Sequence, residues 1–319
     1  MSGIIDVHSH ILTKEYLDYV TEQGAAMEDG FRLPAWDEKS QLEMMDKLGI
    51  EWSVLSFSSP HPYFENDAKT GIDIIRRMNE FSAEVKKRNP DRIGFAASLP
   101  LPNIEAAKEE VIYALDELGA DAIKFASNSR GLYLGDPSLD PIMEEMDKRG
   151  AVLIIHPHKP EPMKEGVYSA GPIPLFEFLC DTTRAVLNLI GHEVPVRYPN
   201  IKIIVPHCGS FLPNIVDRFH FIQPIIVAQG LCEKEIDIDA NISKLYFDTA
   251  GTPVPENLPF LLTVAEPDHI LYGSDYPFTP LEVVEKNNMQ LMDAFEEDER
   301  LTPYRDKILF ENARKLFGR

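Results

Sequence analysis

RIGFAASLPLPNIEAAKEEVIYALDELGADAIKFA, residues 92–126, holds two short apolar runs with one helical pattern between them. Residues 92–99 and 120–126 have the length and composition of buried strands, whereas 103–118 repeats its apolar residues at helical spacing. Asn103 stands where an N-cap belongs, and Gly119 where a helix ends. Strand, helix and strand in that order form the repeating unit of a parallel α/β sheet.

The same unit recurs outward in both directions. Apolar runs lie at 4–10, 50–57, 92–99, 120–126, 151–156, 202–207, 245–250 and 269–274, about every 30 to 45 residues. Helical patterns fill 37–48, 70–88, 103–118, 138–149, 175–190, 210–223, 256–265 and 281–297, and Gly49, Gly150 and Gly191 also stand at expected helix ends. Eight strands close a parallel barrel, so the expected fold is α/β: one (β/α)8 TIM barrel spanning residues 1–319. Two stretches break the rhythm, 11–36 after the first strand and the Pro- and Gly-rich 157–174 after the fifth. Both follow strand C-termini, where barrels carry their active-site loops, and so are expected to form a lid.

Composition narrows the function. Hydrophobic residues make up 44% and charged residues 26% of the chain, ample for a packed core. The formal net charge of −21 repels phosphate backbones and anionic lipid surfaces, which argues against nucleic-acid and membrane partners. Cys180, Cys208 and Cys232 show no CxxC spacing and cannot all pair. With no signal-like N-terminus and no run of about 18 apolar residues, a reducing cytoplasm is expected. No GxGxxG or GxxxxGK[ST] stretch suggests a nucleotide cofactor.

The chemistry-bearing residues gather at strand ends. In DVHSH, strand alternation is expected to put Asp6, His8 and His10 on one face, with the two imidazoles toward the C-terminal end. Such a pair taken alone is more often packed or hydrogen-bonded than metallated. However, His156 ends the fifth run, His207 ends the sixth and Asp275 directly follows the eighth. Parallel strands point these ends into one cavity, a clustering that core packing does not predict, because buried His and Asp are costly without partners.

DVHSH, IIHPH, VPHCGSF and LYGSDYPF resemble the metal and proton-transfer motifs of the amidohydrolase superfamily. More narrowly, the chain resembles the aminocarboxymuconate-semialdehyde decarboxylase-like family, which includes non-oxidative decarboxylases of hydroxybenzoates. RMNEF at 77–81, NPDRIGFAASLPL at 89–101 and ENARKLF at 311–317 extend the match over nearly the whole chain. The resemblance implies that His8, His10, His156 and Asp275 bind one divalent metal, zinc or manganese, that Asp275 and His207 are catalytic, and that the protein is a homodimer or higher homo-oligomer. Cys208-Gly209-Ser210 departs from the several glycines that often follow this histidine in the family.

Other residues are candidates for substrate contact. His61, between two prolines after the second strand, and His158, two positions beyond His156, either face the ligand or sit in loops. Lys124 either holds a substrate carboxylate or turns outward to pair with a helix. Arg218 occupies a place where relatives can offer an arginine across a subunit interface, or else makes a surface ion pair. Phe176, Phe178 and Phe211 either wall an aromatic pocket or pack their helices.

The expected activity is metal-dependent decarboxylation of a small aromatic or unsaturated hydroxy acid without a redox cofactor. The alternatives are hydration or hydrolysis of a small lactone, ester, amide or enol acid at the same centre, and a non-catalytic barrel that binds a metal or small acid.

Overall fold

In the computed structural model, which describes residues 3–319 except 165, 167 and 169, eight parallel strands form a barrel wrapped by helices. The strands are β1 (Ile4–His10), β2 (Ile50–Ser56), β3 (Ile93–Ser98), β4 (Ala122–Ala126), β5 (Val152–His156), β6 (Lys202–Val205), β7 (Leu245–Asp248) and β8 (Ile270–Leu271). Each pairs with its successor in sequence, and bridges from Asp6 to Tyr272 and from Ser9 to Tyr276 join β8 back to β1. All eight runs read from the sequence become strands.

Alternation along these strands divides the apolar residues into two bodies. Trp52, Val54, Ala96, Ala122, Val152, Ile154, Ile204 and Leu271 face inward and fill the barrel. Their neighbours, among them Leu55, Phe95, Ile123, Phe125, Leu153, Ile155, Ile203 and Phe247, point outward beneath the helices. Because both faces are covered, the strands read as continuous apolar runs rather than alternating ones.

β1 departs from the simple alternation expected for it. Ile5 pairs with Trp52 and Asp6 with Ser53, but Ser9 pairs with Leu55, so β1 carries one extra residue between Asp6 and Ser9. Ile5 and Val7 therefore join the barrel interior, and His8 and His10 still point inward above them. Asp6, expected on the face of the two histidines, instead lies on the other side with Ser53. There it accepts hydrogen bonds from Ser274 Oγ (2.6 Å), Ser274 N (3.0 Å) and His8 N (3.1 Å). A buried carboxylate thus latches the bulge to the chain leaving β8.

Most helices fall where their periodicity predicts them. Glu38–Leu48 and Asp140–Arg149 end on left-handed Gly49 and Gly150, and Asn103 caps Ile104–Asp116 by accepting from Ala106 N. The helix expected over 210–223 instead runs Val216–Ala228. Positive φ angles at 207–210 delay its start, and it continues through Pro224, which costs one backbone hydrogen bond without ending the helix. The stretch 11–36 contains a helix, Lys14–Glu22, capped by Thr13, that periodicity alone did not suggest.

The two long loops meet. Ile173 N donates to Asp29 O (3.0 Å), and Arg130, from the turn after β4, braces the first loop by donating from Nη1 to both carboxylate oxygens of Glu28 (3.1 Å each). Phe31 from the first loop and Pro172 and Pro174 from the second border one cavity at the C-terminal mouth of the barrel. Positions 165, 167 and 169 of the second loop lie outside the described residues. Among the described residues, no helix is long and apolar enough to cross a membrane.

Candidate metal centre

His8 and His10 leave the bulged end of β1, His156 is the last residue of β5, and Asp275 follows β8. One potential ligand atom from each lies within 4.8 Å of all the others. Asp275 Oδ1 is 3.0 Å from His10 Nε2 and 3.4 Å from His8 Nε2. Donors sharing one tetrahedral ion at about 2.1 Å stand about 3.4 Å apart, so these pairs already have the required spacing.

Hydrogen bonds at the far side of each ring decide which nitrogen is offered. His8 Nδ1 lies 2.8 Å from Asp248 Oδ2, His10 Nδ1 3.2 Å from Ser56 O, and His156 Nδ1 2.9 Å from Pro157 O. These oxygens can only accept, so each ring donates from Nδ1 and leaves Nε2 to face the centre. His8 Nε2 is buried without a hydrogen-bond partner, an orphan that a cation would satisfy. Ser58 Oγ stands 3.2 Å from His156 Nε2 and can donate to it.

Charge also suits a dication. Burial holds His156 well below the usual imidazole range, helped by His10 and His8, and burial lowers His10 despite Asp275. Burial also works against a charged His8, but Asp248 and Asp275 outweigh it and raise that ring to about 10. For Asp275, burial acts upward, yet the facing His10, His207 and His8 rings hold it well below the usual carboxylate range. The carboxylates of Asp248 and Asp275 thus bring negative charge to a buried pocket of ligand nitrogens, a field that suits a bound cation.

His207 completes the mouth of the site. Its Nε2 lies 3.9 Å from Asp275 Oδ2, beyond direct hydrogen-bond reach, and its ring centroid is 5.2 Å from that of His8. His207, Cys208, Gly209 and Ser210 have φ of 57, 52, 75 and 55°, and Asp275 has φ of 60°. Left-handed backbone at non-glycine residues is costly, and its concentration here marks a shape held for function. Above the ligands, His207, Asp275, Ser58, Phe31, Phe178, Phe211 and Phe278 border a cavity of about 660 Å³.

The remaining sequence candidates divide between the cavity wall and the structure around it. His61 Nε2 donates to Leu99 O (3.1 Å), and its Nδ1 accepts from Tyr63 N (3.3 Å). His158 donates from Nδ1 to Lys159 O (3.2 Å) and accepts from His61 N (3.2 Å), so both imidazoles are engaged by backbone and neither borders the cavity. Lys124 is buried inside the barrel and donates to Ser58 O (3.0 Å); burial brings its pKa down to about 7. Phe176 is exposed and packs on Phe211 from outside, whereas Phe178 and Phe211 do line the cavity. Arg218 is exposed on the helix Val216–Ala228. Sequence reasoning missed Asp248, although a lone carboxylate in the apolar run LYFDTA was a visible signal.

Fold and site together define a class: a (β/α)8 barrel that gathers three histidines and one aspartate, a set able to hold a metal ion, at its C-terminal mouth. The amidohydrolase family matches residues 5–319, and the chain belongs to that family. It is 30% identical to the 6-methylsalicylic acid decarboxylase of Aspergillus aculeatus, over 99% of this chain and 96% of that one. A crystal structure of an amidohydrolase II superposes with a TM-score of 0.89 at 34% identity, covering 99% of this chain and 100% of the other. The dihydroxybenzoic acid decarboxylase of Polaromonas sp. JS666, solved with bound manganese and the inhibitor 2-nitroresorcinol, gives a TM-score of 0.82 at 25% identity, covering 100% and 97%.

Proposed function

We propose that this protein is a metal-dependent, non-oxidative carboxy-lyase acting on a small hydroxybenzoic acid. The observation that carries this reading is a cavity walled by Phe31, Phe178, Phe211 and Phe278 directly above the histidine–aspartate centre. Such walls suit a flat aromatic ring, which prefers edge or offset contact with phenylalanine. The activities named for the relatives support the same reading.

A metal held by His8, His10, His156 and Asp275 would supply Lewis-acid chemistry to an acidic substrate in the cavity. The phenylalanines fix the ring plane and exclude water. His207 and Asp275 hold and move the proton that reaches the carbon bearing the carboxylate. As that C–H bond forms, aromaticity is lost; the C–C bond then breaks, its electron pair restores the ring, and carbon dioxide leaves. The nitrogen-rich ligand set favours zinc, with manganese, carried by the Polaromonas relative, as the alternative. The three unpaired cysteines are compatible with a reducing cytoplasm.

The test is a panel of monohydroxy- and dihydroxybenzoates beside muconate-type acids, supplied to zinc- and manganese-loaded protein with absorbance and evolved carbon dioxide followed together. Stoichiometric carbon dioxide from at least one hydroxybenzoate is expected. Silence from every acid, together with turnover of a lactone or enol acid, would replace decarboxylation with hydrolysis or hydration.

We also propose a homodimer built on the helix Val216–Ala228. This helix buries only Val216 and Gln223, while Phe221 is 70% exposed, and Ile225 and nearby Leu231 are exposed too. An exposed apolar face of this kind favours association. Sedimentation is expected to give a dimer for the wild type and a monomer for Phe221→Glu; a monomeric wild type would end the proposal.

A further inference from the structure

Asp248 is the last residue of β7, wholly buried, and no lysine or arginine pairs with it among the described residues. Three N–H groups surround its carboxylate. Oδ2 accepts from His8 Nδ1 at 2.8 Å, and Oδ1 accepts from His207 N at 3.0 Å and from Ala250 N at 3.0 Å. We infer that Asp248 is a positioning residue that serves both halves of the site, setting the ring nitrogen that His8 offers to the metal and anchoring the strained turn that presents His207. This inference rests on the metal centre and not on the decarboxylase reading.

The chemistry of the side chain supports the assignment. A buried carboxylate with no lysine or arginine beside it is costly, so a neutral side chain of the same size would be preferred if it could do the same work. Asparagine cannot. With its oxygen toward His207 N and Ala250 N, its NH2 group meets His8 Nδ1 and requires a lone pair there. The His8 proton then moves to Nε2, the atom that faces the metal. Turned the other way, asparagine accepts from His8 but sets its NH2 against two backbone N–H donors. Only a carboxylate accepts in both directions.

The second half of the role follows from the turn. His207, Cys208 and Ser210 are three non-glycine residues in the left-handed region, each costing about 1–2 kcal/mol. The bonds Gly209 N to Pro206 O and Ser210 N to His207 O close the turn on itself. The bond from His207 N to Asp248 ties its first residue to the barrel. One carboxylate therefore sets the distance between a metal ligand and the histidine at the cavity mouth.

The experiment compares zinc affinity of wild type and Asp248→Asn by competition with a chromophoric chelator, alongside circular dichroism and gel filtration. Asp248→Asn is expected to stay folded and bind zinc about 10- to 100-fold more weakly. A folded variant with affinity within about threefold of wild type would overturn the inference. Should the variant not fold, zinc-loaded wild type labelled with 15N-histidine decides the matter, the His8 ring being assigned by its loss in His8→Gln. A proton on His8 Nδ1, shifted far downfield by a carboxylate, is expected; a bare Nδ1 would overturn the inference.

Discussion

Replacing His10 with alanine is expected to give a folded protein that retains little divalent metal and releases carbon dioxide at least about 10³-fold more slowly than wild type. The ring is fully buried. Its contacts are Ser56 O and Oγ at Nδ1, Asp275 at Nε2, and the rings of His156, His8 and Phe278 at 4.7, 5.0 and 5.1 Å. Folding therefore depends on it modestly, and the metal centre depends on it directly. Without it, two imidazoles and one carboxylate remain, and Asp275 loses its shortest hydrogen-bond partner. Charge stabilisation by a bound dication is worth several kcal/mol, and each 1.4 kcal/mol is about tenfold in rate. Elemental analysis of the purified variant and a carbon dioxide assay with added zinc or manganese check both halves. Full metal occupancy with wild-type turnover would remove His10 from the centre.

The sequence exposed the barrel because parallel strands covered on both faces must be apolar throughout, and because helices between them announce their ends with Asn103, Gly49 and Gly150. It exposed the meeting of His8, His10, His156 and Asp275 because a barrel sends every strand's C-terminal end to one place. What stayed hidden depends on pairing rather than on composition. The bulge in β1 exists only relative to β2, so alternation alone put Asp6 on the face of the histidines. Asp248 acquires its meaning from His8, 240 positions away. His61 and His158 looked like ligands for a substrate because their backbone partners, Leu99 O, Tyr63 N and Lys159 O, are fixed only once the loops fold.

The most informative comparison sets Asp275→Asn beside His207→Asn. Both positions have left-handed backbone, which asparagine tolerates better than most residues, so neither change should disturb the local fold. Asp275 turns Oδ1 toward His10 and His8, while Oδ2 accepts from Thr279 Oγ1 at 3.1 Å and lies 3.9 Å from His207. Its carboxyl is held well below the usual range, the facing His10, His207 and His8 rings outweighing burial. At neutral pH it is thus ionised, and it must receive a proton before it can deliver one. His207, across a gap that one small shift or one water closes, is the nearest group able to share that proton. Asp275→Asn removes a metal ligand and a proton carrier together and is expected to lose metal as well as at least about 10³-fold in kcat. His207→Asn leaves the ligand set intact and is expected to keep its metal while losing about 10²-fold in kcat. Equal metal loss in both variants would make His207 a ligand rather than a proton carrier, and unchanged kcat in His207→Asn would take it out of the reaction altogether.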